Sequence, residues 1–478
     1  MRRNKLLQSY PIILPVTVSV ITLLFISLYS GMTNDEGMWS YIGRIWLEND
    51  MPPYKYSVEN KTPGIFIIHA ISHYFFGIHF FPIRVLGLLS IILTGYFLYK
   101  IFAYLTTQKW PLLIVIYSFL MGWDTFDGIL LGHTEIFMNL FSVLCFYLFF
   151  KLKFEKGKNL WQYLFLSGIS MGMAIAFKQI ALTTIPVVLF LFYIHHKASI
   201  LKTIVIFSSG ILVATFISII PLLLSGVSIV SYIEGAWLIL LTESSYNTID
   251  HFSKFIEIWT QPQLYPLYPL IILGLFSNNL KKEYKIVTGL WFLFDFIGAN
   301  LSGNYWGHQL KQILPSLSVI LVLCTDLYYK IKPKLIIHMI NIVLIILLFP
   351  IPIQKLKFVR EVMHERIVHG FKNSKPYKMG KWLENQTDSK DYTFVFGQYG
   401  SPIQSYSNRL APSNFFNVMF LQEEENMRTL LHDLHLKPPK YILIDSNFYI
   451  FDRELLSFVH ANYQKETTMN NYEIYLHN

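Results

Sequence analysis

Asp35 and Glu36 stand side by side in N-D-E-G directly after an apolar run, and Lys61 follows in N-K-T-P-G within the same polar stretch. Lys178 interrupts A-F-K-Q-I-A between two apolar runs with almost no loop, and W-G-H-Q-L-K sets His308 and Lys311 three residues apart, on one face of a helix. A charge at the end of a membrane span costs on the order of several kcal/mol unless it is paired or solvated. A buried lysine with no partner tends to lose its charge, so a phosphate is a natural companion for Lys178. Taken together, Lys61, Lys178, His308 and Lys311 make a cationic set and Asp35 with Glu36 an acidic one. That constellation suits holding a lipid phosphate while a carboxylate takes the proton of an acceptor hydroxyl.

Plainer roles exist for each residue. Asp35 and Glu36 would also serve at the start of a helix running from Met38 to Leu47. Lys61 could snorkel to an interface, and His308 with Lys311 could belong to an aromatic and basic belt. Glu135, in G-H-T-E-I-F-M, is either a carboxylate supporting the site or metal or a helix-start charge. Arg84, at the mouth of an apolar run, suits positioning of the polar loop or contact with a lipid headgroup. His432 and His435 have ligand spacing on a helix but no third ligand nearby.

The elements that must position these residues are membrane spans. The 478 residues are 53% hydrophobic and only 14% charged, with a mean hydropathy of +0.41, well below the roughly 25% charge of soluble domains. Apolar runs long enough to cross the bilayer lie near 10–30, 82–99, 111–127, 130–150, 160–177, 180–195, 203–224, 264–278, 284–300, 309–328 and 335–352, which gives about 11 transmembrane helices. With the N-terminus cytoplasmic, the basic clusters at Lys100, Lys151, His195, Lys281 and Lys330 all fall inside, as the positive-inside rule requires. The net charge of +9 is accounted for by these clusters and needs no nucleic acid. The first outer loop, 31–81, carries Asp35, Glu36 and Lys61. Cys145 and Cys324 lie in apolar runs and offer no disulfide framework.

An odd number of spans puts the C-terminus outside the membrane. The expected division is therefore a transmembrane domain over 1–354 and an extracytoplasmic α/β domain over 355–478. In the latter, strands are expected at Tyr392–Gly397, Tyr441–Asp445 and near Tyr472–Leu476, and helices near Asn426–Leu436 and at Arg453–His460. An amphipathic helix on the membrane surface is expected around K-F-V-R-E-V-M-H-E-R.

The runs N-D-E-G-M-W-S-Y-I-G-R, P-P-Y-K-Y and N-K-T-P-G-I-F-I-I-H-A-I-S-H-Y-F-F-G resemble the first outer loop of GT-C glycosyltransferases. The similarity is to the branch containing the protein O-mannosyltransferases and the lipid A aminoarabinose transferases. Further matching stretches are G-H-T-E-I-F-M, G-I-S-M-G-M-A-I-A-F-K-Q and G-H-Q-L-K-Q-I-L-P, and F-V-F-G-Q-Y-G in the tail looks like the outer domain of bacterial members. The resemblance implies an inverting transferase that takes one sugar from a polyprenyl-phosphate carrier, with Asp35 as general base or near the metal. It implies Lys61 and Lys178 as contacts of the donor phosphate and a divalent metal cation as cofactor near Asp35, with His251 in the loop where the branch has a metal-binding histidine; the reading of the residues themselves adds His308 and Lys311 to the phosphate contacts and Glu36 to the candidate metal ligands. Two positions depart from the branch: Asn60 replaces a glutamate just before the lysine, and Met38 replaces an arginine three residues after the aspartate.

The competing class is a transporter or channel for a polar or lipid-linked solute. Transporters place ionisable residues near the membrane midplane on broken helices, often with an internal repeat. Here the unusual charges lie at span ends and no repeat is evident, which favours the enzyme. Neither the sugar nor the acceptor, whether protein, lipid or glycan, is written in these motifs.

Overall fold

The computed structural model describes residues 28, 31–106, 112–122, 130–154, 160–196, 199–240, 248–277, 280–330, 372, 374–397, 399–421, 423–446 and 453–478. The expected first and last spans and the expected surface helix after Lys355 lie outside the described residues. The chain divides into two compact units, one built from 1–28, 84–219 and 240–361, the other from 29–83, 220–239 and 362–478.

The second unit begins with α1 (Asn34–Asn49) and α2 (Gly64–Phe76). Thr33 starts α1 with a capping box: its hydroxyl accepts from the Glu36 backbone N–H, and its own N–H donates to the Glu36 carboxylate, at 3.2 and 3.0 Å. Two otherwise unpaired helix-end donors are satisfied this way.

In the first unit, three described helices are long and apolar enough to cross a membrane: α3 (Phe81–Leu105, entering from residue 84), α5 over Thr134–Lys153 and α8 (Ile200–Leu224, as far as residue 219). Between α3 and α5 lies α4 (Leu112–Met121), and between α5 and α8 lie α6 (Leu160–Phe177) and α7 (Ile185–His196); α5 itself runs Thr134–Phe154. After α8 come α9 (Thr248–Trp259), α10 (Leu267–Leu275), α11 (Lys282–Asn300) and α12 (Leu314–Lys330). Most follow the apolar runs of the sequence. Two expected spans open differently: 180–195 begins as the 3-10 turn Gln179–Thr184, and 309–328 as the 3-10 turn Gly307–Ile313.

Lipid tails are as apolar as leucine, so helices in a bilayer associate through close packing of small residues. Between α6 and α8 that is what occurs. A Cβ on Gly168 would lie 2.1 Å from the Phe207 carbonyl oxygen, and one on Gly172 would lie 2.7 Å from the Ala214 methyl. Both cysteines are free and buried.

The rest of the second unit is an α/β fold with α13 (Lys375–Gln386), β1 (Thr393–Phe396), α14 (Gly400–Ser407), α15 (Glu424–Leu436), β2 (Tyr441–Asp445), α16 (Arg453–Asn462), β3 (Tyr463–Met469) and β4 (Tyr472–His477). The sheet order is β1-β2-β4-β3, with β1 and β2 parallel and the other pairs antiparallel. Alternate side chains go to opposite faces. Phe394, Phe396, Ile442 and Ile444 join Leu430, Leu434 and Val459 of the helices in one core, while Val395 and Leu443 join Met379, Leu383 and Ile403 in the other. The sheet is thus covered on both faces. The edge strand β3, Y-Q-K-E-T-T-M, is mostly exposed and charged, which blunts it against further pairing.

The polar loop and the tail are one folded body within this unit. Gly37 of α1 has room for no side chain, because a Cβ there would fall 2.4 Å from the Pro402 backbone nitrogen of α14. Arg44, buried, donates to the Asn408 side-chain carbonyl and to the Arg409 backbone carbonyl, each at 2.9 Å. Ser405 donates to Ser40 at 2.9 Å, and the Ala411 N–H to the Tyr41 hydroxyl oxygen at 2.8 Å.

Candidate active site

The candidate residues fall into two sets, one in each unit. In the second unit, Asp35 and Glu36 occupy the first turn of α1, where carboxylates meet the positive end of the helix dipole. Glu36 is buried and spends its carboxylate on the Thr33 N–H. Asp35 is half-buried.

Lys61 lies between α1 and α2 on a loop folded around Tyr54. Tyr54 has a positive φ of 65°, which costs a bulky residue about 1–3 kcal/mol unless its surroundings impose it. The surroundings are explicit: its N–H bonds the Ser57 carbonyl at 3.0 Å, its hydroxyl donates to the Lys61 carbonyl, and its ring meets Phe66 and Tyr232 edge-on. The Lys61 ammonium touches the Asn60 side-chain oxygen and lies 3.5 Å from a Glu59 carboxylate oxygen. Glu59 is 1% exposed. A buried carboxylate thus stands two residues before Lys61, beside the neutral Asn60.

The first unit holds the second set. Lys178 has extended backbone and immediately precedes the 3-10 turn Gln179–Thr184, whose tight geometry turns the chain into α7. Its ammonium is buried against the carboxylate of Glu135, in the first turn of α5. Glu135 is thus the protein counterion of Lys178. His308 and Lys311 lie on the turn Gly307–Ile313, where residues i and i+3 eclipse. Lys311 is fully buried. The His308 ring stands edge-on to His133, centroids 4.9 Å apart, and His133, His308 and Lys178 all act electrostatically on the Glu135 carboxylate. Glu135, Lys178 and His308 are therefore brought together, with Lys311 on the same turn as His308.

Arg84 is buried in the first turn of α3. His251, on α9, has its Nδ1 2.6 Å from the Gly303 carbonyl, so that nitrogen carries the proton and pins α9 to the segment leading into the His308 turn. The imidazole pair of this unit is His133 with His308. His133, Glu59, Asn139 and Gln312 were not singled out by the sequence reading. The signal for His133 was present in G-H-T-E, two residues before Glu135.

With this geometry in hand, likeness to known proteins is informative. Residues 60–224 match the family model described as dolichyl-phosphate-mannose-protein mannosyltransferase. That span includes Lys61, Glu135 and Lys178. The structure is similar to ArnT from Cupriavidus metallidurans bound to undecaprenyl phosphate, with a TM-score of 0.64 at 9% identity over 98% of both chains. The fold is that of the GT-C membrane glycosyltransferases. The apo form of the same ArnT aligns with a TM-score of 0.61, again at 9% identity over 98% of both chains. An Archaeoglobus fulgidus oligosaccharyltransferase tethered to an acceptor peptide aligns with a TM-score of 0.52 at 12% identity, covering 90% of this chain and 69% of that one. No curated protein sequence matches the chain. Three of the described helices are long and apolar enough to cross a membrane, in keeping with the GT-C fold.

Proposed function

We propose that this protein is a glycosyltransferase that moves a single sugar from a polyprenyl-phosphate carrier to an acceptor hydroxyl at the outer face of the membrane, with inversion. One observation carries the reading. Lys178, at the head of one 3-10 turn, and the His308–Lys311 pair, on another, lie in a mostly apolar set of helices, with Glu135 as the counterion of Lys178. Buried cations are retained in membrane proteins where they meet an anion, and a lipid phosphate is the anion that a bilayer delivers to such a place. The family match over Lys61 and Lys178 supports the same assignment.

In this mechanism Asp35 takes the proton of the acceptor hydroxyl as its oxygen attacks the anomeric carbon. The new carbon–oxygen bond forms opposite the bond to the phosphate, which breaks with both electrons going to the leaving polyprenyl phosphate. The transition state is oxocarbenium-like by analogy with glycosidases. Lys61, Lys178, His308 and Lys311 hold the phosphate oxygens and stabilise the negative charge that grows there. A divalent cation, when bound, would supply further neutralisation of that charge. His133 and His308 fit it as neighbouring imidazole donors.

The test is transfer from polyprenyl-phosphate sugars by the purified full-length protein. Asp35→Asn should bind undecaprenyl phosphate normally while transfer falls about 100-fold or more, and Lys61→Ala should weaken donor binding. Normal turnover by Asp35→Asn would overturn the proposal. Mass spectrometry of glycolipids and glycoproteins from a deletion strain would identify the sugar and the acceptor class.

A further inference from the structure

Three polar ties connect the elements that carry the cations of the first unit. The first is the ion pair between Lys178, at the head of the turn Gln179–Thr184, and Glu135 of α5. One helical turn further along α5, the Asn139 side-chain amide donates to the Lys311 backbone carbonyl at 2.8 Å, joining α5 to the turn Gly307–Ile313. Next to Lys311, the Gln312 amide donates back to the first turn, to the Ile180 carbonyl at 3.3 Å and the Thr183 hydroxyl oxygen at 2.9 Å. The orientation of that amide is fixed by chemistry. Thr183 spends its own proton on the Ile180 carbonyl at 2.8 Å, so both groups facing Gln312 are acceptors and the NH2 must face them.

Each of the three elements is thus tied to the other two. The frame is also closed from behind by α11. A Cβ at Gly298 would lie 2.4 Å from the Thr183 hydroxyl oxygen and 2.5 Å from the Gln312 amide nitrogen, so glycine is what lets the Gln312–Thr183 contact exist beneath that helix. Asn139 and Gln312 are 1% and 2% exposed. Neither has a charge to offer a substrate. What they hold is backbone, in two 3-10 turns whose own hydrogen bonding is poorer than that of an α-helix.

We infer that Asn139 and Gln312 are positioning residues for donor binding: with the Glu135–Lys178 pair they close a three-sided polar frame that fixes Lys178 and Lys311 relative to one another before the lipid phosphate arrives. This rests on the proposed donor chemistry. Preorganised cations bind and stabilise a phosphate without being reordered by it, so loosening the frame weakens binding through the lysines.

The experiment measures binding of undecaprenyl phosphate to the full-length protein in nanodiscs. Asn139→Leu and Gln312→Leu, each deleting the amide at similar volume, should weaken binding roughly three- to ten-fold, as expected for loss of one interhelical hydrogen bond. In a Lys178→Gln, Lys311→Gln background the same substitutions should have no further effect, because the groups they position are gone. A merely structural role would lower the unfolding midpoint and weaken binding equally in both backgrounds. Unchanged affinity in both leucine variants, or additive losses, would overturn the frame while leaving the donor assignment standing. Failure of the wild-type protein to bind undecaprenyl phosphate would overturn both.

Discussion

His69 makes the second unit acid-sensitive by an amount that follows from its surroundings. It lies on α2 against α1, where its Cβ would clash with any side chain at Gly43, and its ring tilts against Trp39 at 6.4 Å. Its Nε2 is buried with no hydrogen-bond partner among the described residues. Burial, aided by the neighbouring His73 and opposed by Glu36, lowers its pKa from 6.5 to about 3. The folded value lies below the unfolded one, so between them the unfolded chain binds a proton that the folded chain refuses. Stability contributed by neutral His69 is therefore fully present above pH 6.5 and is lost as pH falls towards 3. At about 1.4 kcal/mol per pH unit, the loss reaches ~2 kcal/mol at pH 5 relative to pH 8. His73, also lowered by burial, acts in the same direction. The assay is the unfolding midpoint of the full-length protein in detergent from pH 8 to pH 5, followed by tryptophan fluorescence. His69→Leu removes the titrating group at similar bulk, so its midpoint should fall less steeply with acid than that of the wild type. Parallel pH profiles for the two proteins would refute the reasoning.

Arg44→Ala should release the tail from α1. It removes two charge-assisted hydrogen bonds, leaving the Asn408 side-chain oxygen without its donor and the Arg409 carbonyl with only that of Gln404, a loss of about 3 kcal/mol readable as faster limited proteolysis of the tail in otherwise membrane-inserted protein. Glu135→Ala should destabilise the protein by about 3–5 kcal/mol, because it strands a buried ammonium, and the double variant Glu135→Ala, Lys178→Met should regain most of that loss in a thermal-melt comparison.

Much of the architecture was legible because hydropathy reports what a bilayer demands. α6 matches its apolar run, α8 lies within about three residues of its own, and β2 and the helices α15 and α16 of the tail fall where expected, whereas α3 runs on past its run and α5 is shifted along its own. What escaped was decided by long-range packing. The strand Y-Q-K-E-T-T-M has no alternating apolar pattern because it is an exposed edge, specified by its pairing with β4. The 3-10 openings at Gln179 and Gly307 look like ordinary helix in the sequence, and the Gln312 tie between them joins residues far apart along the chain. Lys178, His308 and Lys311 were visible as polar side chains in the wrong place. Their company was not: Asn139 and Gln312 are neutral, and nothing in their local sequence marks them as ties between elements far apart along the chain.

The same logic clarifies the departure at Asn60. A lysine that waits for a phosphate in a low-dielectric place must stay protonated while the site is empty, and a neighbouring carboxylate does that. Lys178 has Glu135, from another helix; Lys61 has Glu59, two residues before it in the chain. Position 60 is a neutral amide whose oxygen also touches the ammonium. If the counterion role is what matters, Asn60→Glu should not improve transfer, whereas Glu59→Ala should lower the apparent donor affinity with an effect that disappears in the Lys61→Ala background. Improved transfer in Asn60→Glu, or a Glu59→Ala loss that persists without Lys61, would show instead that the acid serves something other than the lysine.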